Sequence, residues 1–213
     1  MHIDYQRGFA VNKRVDVVIN SANGLLLLGT SGAGAIRDKS QPLTLKEKNE
    51  YLSILKSLPK SVCNDYQRVY KEHNWTSTYA QLGCLRLLKN KKGHQFRRGQ
   101  AVLQNTWSKK DLRPIIHAIG MSYSLSKVNA TRLPASVSTI RSAVTKALNI
   151  ASSLEAKSIA IPVMCVRKTY GITPETSLKT IVSTIKKFRN SSINKVIICF
   201  DNSTSREYLK KLG

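Results

Sequence analysis

Short apolar runs separated by amphipathic helical patterns constrain this chain more than any other feature. Residues 15–19 and 195–200 are rich in β-branched side chains, 114–119 and 158–161 resemble them, and 100–104 is a shorter candidate. Runs of this length suit strands better than core helices, and their near-continuous apolar character marks strands buried on both faces. Between them, Val137, Ile140, Val144, Leu148, Ala151 and Leu154 recur at helical spacing, as do Leu178, Ile181, Val182, Ile185 and Phe188. Thr44 and Glu47 have the spacing of a capping box, and Thr173-Pro174 reads as a helix cap followed by proline in the first turn. The alternation predicts an α/β fold, a sheet with helices on both faces. With 213 residues, 41% of them hydrophobic, the chain can bury one substantial core. Residues 40–99 break the rhythm. They hold helical patterns at 45–58 and 59–73, an ambiguous stretch at 77–88 and a basic loop at 89–93. No linker-like composition flanks them, so they are expected to be a helical insertion in a single domain spanning 1–213.

Several function classes lose ground on composition. The uncharged stretch 17–36 contains Asn20, Ser21, Asn23 and several glycines, which suit strand and loop and not a membrane span. No membrane association is expected. The first residues lack the pattern of a secretory leader, so an intracellular, cytoplasmic protein is expected. Cys63, Cys84, Cys165 and Cys199 are far apart and have no histidines at ligand spacing, so neither a metal site nor any other cofactor is implied. The net charge of +23 favours polyanionic partners, nucleic acid among them, without choosing one.

Chemistry concentrates near the first buried run. Val15-Asp16-Val17-Val18-Ile19-Asn20-Ser21-Ala22-Asn23-Gly24 sets two carboxamides beyond the carboxyl end of a strand, where open α/β sheets form their ligand crevice. Carboxamides both donate and accept hydrogen bonds, which suits the vicinal hydroxyls of a ribose. Gly29-Thr30-Ser31-Gly32-Ala33-Gly34-Ala35-Ile36 follows, a Gly-rich loop opening into a helix whose backbone N–H groups can meet phosphate. It lacks both the Gly-Lys-Ser/Thr ending of a P-loop and the glycine register of a dinucleotide fingerprint.

Taken in order, these segments resemble the macro domain family. Residues 15–23 are similar to its strand ending in N-x-A-N, and Gly29 to Ile36 to its first Gly-rich loop. Gly99-Gln100-Ala101-Val102 and Ile115-Ile116-His117-Ala118-Ile119-Gly120 resemble its next strands. Ser158-Ile159-Ala160-Ile161-Pro162 with Tyr170-Gly171 and Pro174 resembles the strand and second phosphate loop, and Val196-Ile197-Ile198-Cys199-Phe200-Asp201 the last strand.

The resemblance implies a three-layer α/β/α fold with a mixed sheet, and a crevice for ADP-ribose or an ADP-ribosylated molecule. It would place Asn20, Ala22 and Asn23 beside the distal ribose, with Asn20 and Asn23 as the residues of any reaction. Gly32, Ala33, Gly34 and Ile36 would line the first loop. Arg167, Lys168, Thr169, Tyr170 and Gly171 would form the second, where the charges of Arg167 and Lys168 stand in place of the family's small residues. Phe200 would lie against adenine and Asp4 near its amino group. Ala33 stands where one hydrolytic subgroup has an aspartate, so hydrolysis of an ADP-ribosyl ester or of ADP-ribose phosphate would rest on a water held by Asn23 and the loop backbones. The alternative from another class is a non-catalytic module that binds nucleic acid or poly-ADP-ribose through its basic surface. His117, on an apolar strand, is expected to be a hydrogen-bonded core histidine, and Trp75 and Trp107 are expected to be packing residues.

Overall fold

The computed structural model describes residues 1–125, 130–166, 170–189 and 191–200. A seven-stranded mixed sheet organises them, in the order β1-β7-β6-β2-β4-β3 with β5 pairing β4. Strands β1 (His2–Arg7), β7 (Lys195–Phe200), β6 (Ser158–Pro162), β2 (Val17–Asn23) and β4 (Ile115–Leu125) run parallel. Strands β3 (Ala101–Gln104) and β5 (Ala130–Leu133) run antiparallel to β4. Strands β3, β6 and β7 coincide closely with the apolar runs, whereas β2 extends four residues past the run at 15–19, so Asn20 and Asn23 lie within its last residues and not beyond its end as expected. The edge strand β1 carries His2, Asp4, Gln6 and Arg7 and is only half-buried, so it has no apolar run to betray it. Strand β4 outlasts its apolar run because Ser122 to Leu125 are paired by β5.

Helices cover both faces, completing three layers. On one side lie a 3-10 turn (Ala10–Asn12) and helices α1 (Ser31–Lys39), α2 (Leu45–Ser57), α3 (Lys60–Glu72) and α4 (Tyr79–Lys89). Val18, Ala22, Ile115 and Ile119 from the sheet meet Ile54, Leu55, Tyr66, Leu82 and Leu85 from the helices there. On the other side, α5 (Val137–Ser153) and α6 (Pro174–Lys187) bury Ile140, Val144, Leu148, Leu178, Ile181 and Ile185 against Val17, Ile19, Ile159 and Val196. Each such aliphatic side chain stabilises the fold by roughly 1.5–3 kcal/mol when fully buried. Thr44 and Glu47 form the capping box of α2, and the Thr173 hydroxyl accepts from the Thr176 amide at the start of α6. No helix among the described residues is long and apolar enough to cross a membrane.

Candidate functional site

The parallel strands end together on one side of the sheet, and a cleft of about 420 Å³ opens there. Asn20, Ala22 and Asn23 from β2 form its floor. Phe9, Val11, Cys199 and Phe200 make one apolar end, and Tyr170 with Arg132 borders it from the second loop and β5. The opposite wall comes from α3 and the turn after it, through Asp65, Arg68, Glu72, His73 and Trp75. The first turn of α1, with Gly32 and Ala33, faces the same space. First-turn amides of a helix have no intrahelical acceptor, and the positive end of the helix dipole favours an anion there.

The loop after β2 is held unusually completely. The Asn23 Oδ1 accepts from the amides of Leu25 and Leu27, and its Nδ2 donates to the Leu27 carbonyl. Gln81, fully buried on α4, accepts from the Leu28 amide and the Tyr70 hydroxyl and donates to the Leu26 carbonyl and Tyr66 hydroxyl. Tyr66 in turn donates to the Leu25 carbonyl. Arg37 reaches back from α1 to the carbonyls of Leu28 and Gly29, and its guanidinium lies 3.8 Å from the centre of the Trp75 ring. Every carbonyl from Leu25 to Gly29 therefore has a side-chain donor, which is how a loop of four leucines can sit inside the molecule. The constraint includes left-handed backbone at Leu26 (φ 51°), Ser31 (φ 59°) and Cys165 (φ 56°), all in the loops that shape the cleft. Such residues cost roughly 1–3 kcal/mol each and persist only where the surroundings hold them.

Beneath the floor lies a second polar network. Asn20 Nδ2 is 3.1 Å from His117 Nδ1, and His117 Nε2 is 2.7 Å from Gln104 Oε1. Gln104 donates its own Nε2 to the carbonyls of Ala80 and Thr106, so its Oε1 is the end that faces His117. His117 must then carry its proton on Nε2 and accept from Asn20 through Nδ1. Burial lowers the His117 pKa to about 4, so the ring is neutral near pH 7. Burial also pushes the cleft thiols up, Cys165 to about 11 and Cys199 to about 12, which argues against either as a nucleophile.

No protein-family model and no curated protein matches the sequence. Solved structures do match in shape. A macrodomain of Oceanobacillus iheyensis determined with ADPR is similar at a TM-score of 0.57 and 17% identity, over 97% of this chain and 89% of that one. The macro domain of ganglioside induced differentiation associated protein 2 gives 0.61 and 17%, over 99% and 81%. A Trypanosoma brucei macrodomain in complex with ADP gives 0.60 and 15%, over 100% and 69%. The chain has the macrodomain fold.

Within this macrodomain cleft the structure gathers Asn20, Ala22, Asn23, Gly32, Ala33, Ile36, Tyr170 and Phe200. Three expected residues do not line it. Asp4 pairs with Ile197 in the middle of β1 and accepts from Gln6, several residues below the strand ends, where Gly8 and Phe9 stand instead. Gly34 faces its own loop, since an added Cβ would lie 2.8 Å from the Gly29 carbonyl oxygen. Gly171 packs on Pro134, where its φ of +82° makes the turn. Arg167, Lys168, Thr169 and Asp201 lie outside the described residues.

Other cleft residues escaped the sequence reading. Although Ala33 stands in place of an aspartate, α3 brings two carboxylates, Asp65 and Glu72, to the macrodomain cleft, both paired with Arg68 at 2.9 and 3.2 Å. Their spacing along a helix is visible in sequence, but nothing there says which way α3 faces. Trp75 does pack, on Arg37 and with His73 at 4.4 Å between ring centres, yet it does so on the cleft wall. Among the described residues, no group of three or more His, Cys, Asp or Glu side chains could hold a metal ion.

Proposed function

We infer that the cleft binds ADP-ribose or an ADP-ribosyl derivative. One observation carries this reading. One cleft is lined by the aromatic rings of Phe9 and Phe200, by the first turn of α1 at Gly32 and Ala33, and by Asn20 and Asn23 of β2. A flat ring, a diphosphate and a sugar need those three environments in one cleft. Solved structures of the same fold that carry ADP or ADPR support the assignment.

Hydrolysis of an ADP-ribosyl ester or of ADP-ribose phosphate is the reaction such a site would serve. Both acceptor positions of Asn23 Oδ1 are occupied by its own loop, so a water in the cleft would donate its hydrogen bond to Asn20 Oδ1, which can orient that water but not deprotonate it, with Asn23 shaping the loop. Calorimetry with ADP-ribose, ADP and AMP tests the binding reading. Affinity should rise from AMP to ADP-ribose, and equal affinities would remove the distal sugar from the site. A binding role without turnover remains the second reading, favoured by the net charge of +23, which ADP-ribose recognition alone does not require. Incubation with ADP-ribosylated protein and with ADP-ribose phosphate separates the two.

A further inference from the structure

We propose that the edge of the sheet opposite the cleft is a docking surface for a nucleic-acid duplex, held through its phosphates. The parallel strands all begin on that edge, and the basic residues gather where they begin. Lys195 opens β7, Lys157 immediately precedes β6, and Arg14 lies shortly before β2. These three strands are neighbours in the sheet, so their starts follow one another at about 5 Å intervals. Lys186 and Lys187 close α6 and Arg189 follows, just before the chain returns to Lys195. Lys39 closes α1 and shares with Arg14 and Lys13 a groove of about 390 Å³ along the same edge. Strands of this length put the edge about 20 Å from the cleft.

Most of the charge there is uncompensated, although Lys157 acts on Asp16 and Lys39 on Asp111. Arg14, Lys39, Lys157, Lys186, Lys187, Arg189 and Lys195 are all exposed, and none is in an ion pair among the described residues. The helical layer also carries exposed lysines with no ion pair among the described residues, such as Lys46, Lys48 and Lys56, but acidic residues are interspersed among them, with Glu47, Glu50, Asp65 and Glu72 paired to Lys109, Arg86 and Arg68. Of the acidic groups on the edge, Asp16 accepts from the amides of Lys157 and Ser158 and Asp111 is bound by Arg113, whereas Glu155 is exposed in the turn before Lys157, so cations outnumber free carboxylates there. Cations in the last turns of α1 and α6 favour the helix dipoles, which is an ordinary reason for Lys39, Lys186 and Lys187. Lys157 has a local one, since against desolvation its charge helps the hydrogen bonds from Ser158 and Lys157 to lower the pKa of Asp16, and no such reason applies to Lys195 at the start of β7.

The form of the partner follows from what the edge lacks. The large apolar side chains exposed on the described surface are Met1, Leu45, Leu52, Leu112, Val137 and Leu154, and none is aromatic; Phe188, between Lys187 and Arg189, is half-buried against the core. Single strands are bound by stacking unpaired bases on aromatic rings, whereas in a duplex the bases are already stacked on one another and sequence-independent binding runs through cations on the phosphates.

Fluorescence anisotropy with a short labelled DNA duplex, across a potassium chloride series, tests the proposal. Arg14→Gln, Lys157→Gln and Lys195→Gln together should lower affinity at least tenfold at low salt and flatten the salt slope by about 2 to 3. A control with Lys46→Gln, Lys48→Gln and Lys56→Gln removes the same charge from exposed positions on α2 and should have little effect. Equal losses in the two triples, no duplex binding by the parent, or a single strand held as tightly as the duplex would each overturn it. Circular dichroism confirms that both triples fold. ADP-ribose titration of the edge triple reads the cleft separately, so a failure of the ADP-ribose reading leaves the duplex result standing.

Discussion

Asn20 and His117 face each other across two parallel strands at the same register, their side-chain nitrogens 3.1 Å apart. The ring is fully buried and its other nitrogen meets Gln104, so Asn20 can approach it only by donating, which leaves the Asn20 oxygen for the cleft. His117 is thus a positioning residue for Asn20. Asn20→Ala and His117→Phe should each weaken ADP-ribose binding by roughly tenfold, about 1.4 kcal/mol, and the double variant by no more than the stronger single. Calorimetry on the cycle checks this. Additive losses would mean that His117 matters only as packing.

The same histidine predicts how stability follows pH. Its pKa in the folded protein is lowered to about 4 from 6.5, so the unfolded chain takes up its proton first as pH falls. The unfolded state binds more protons in that window, and stability therefore declines from about pH 6.5 down to about pH 4, with the loss complete below it. The contribution is about 3 kcal/mol. Urea unfolding at several pH values should show this decline in the parent and a shallower one in His117→Phe, which has no proton to gain.

Gln81 is the hub of the loop after β2. Gln81→Leu keeps the volume but strands the Leu28 amide and the Leu26 carbonyl in a dry interior and removes a partner from two tyrosine hydroxyls. Unfolding free energy should fall by roughly 2–4 kcal/mol. Hydrogen exchange should locate the damage, with faster exchange at Leu25, Leu27 and Leu28 than in β4. Uniform protection across the loop would mean that Asn23 and Arg37 suffice to hold it.

The parallel core of the sheet was legible because strands buried on both faces must be apolar throughout, as 195–200 and 158–161 are. Strand β1 was not, since an edge strand tolerates Asp4 and Gln6 and shows only weak alternation. The cleft was half legible. Asn20, Asn23 and the Gly-rich loop sit next to each other in sequence, and their position at a strand's carboxyl end follows from local pattern. Gln81, Tyr66, Asp65 and Glu72 belong to the site only through the way α3 and α4 dock on the sheet, a contact between residues some 40 to 60 positions apart. A fully buried glutamine also reads in sequence as an ordinary surface residue.

The ends of the cleft can be assigned by pairing ligands with substitutions. Phe200 and Phe9 form an apolar end beside β7, whereas Trp75 and His73 stand beyond the Gly-rich loop at the other. If adenine lies at the Phe200 end, AMP reaches only that end and ADP-ribose reaches both. Phe200→Ala should then weaken AMP and ADP-ribose alike, by roughly 1 kcal/mol for the lost ring contact. Trp75→Ala should leave AMP unchanged and weaken ADP-ribose, because it removes the ring against which Arg37 is held and loosens the Leu28 and Gly29 carbonyls of the loop that leads from Asn23 into α1. Calorimetry with the two ligands on the two variants gives four affinities. The reverse pattern, with AMP sensitive to Trp75 and indifferent to Phe200, would turn the ligand end for end and move the ribose away from Asn20.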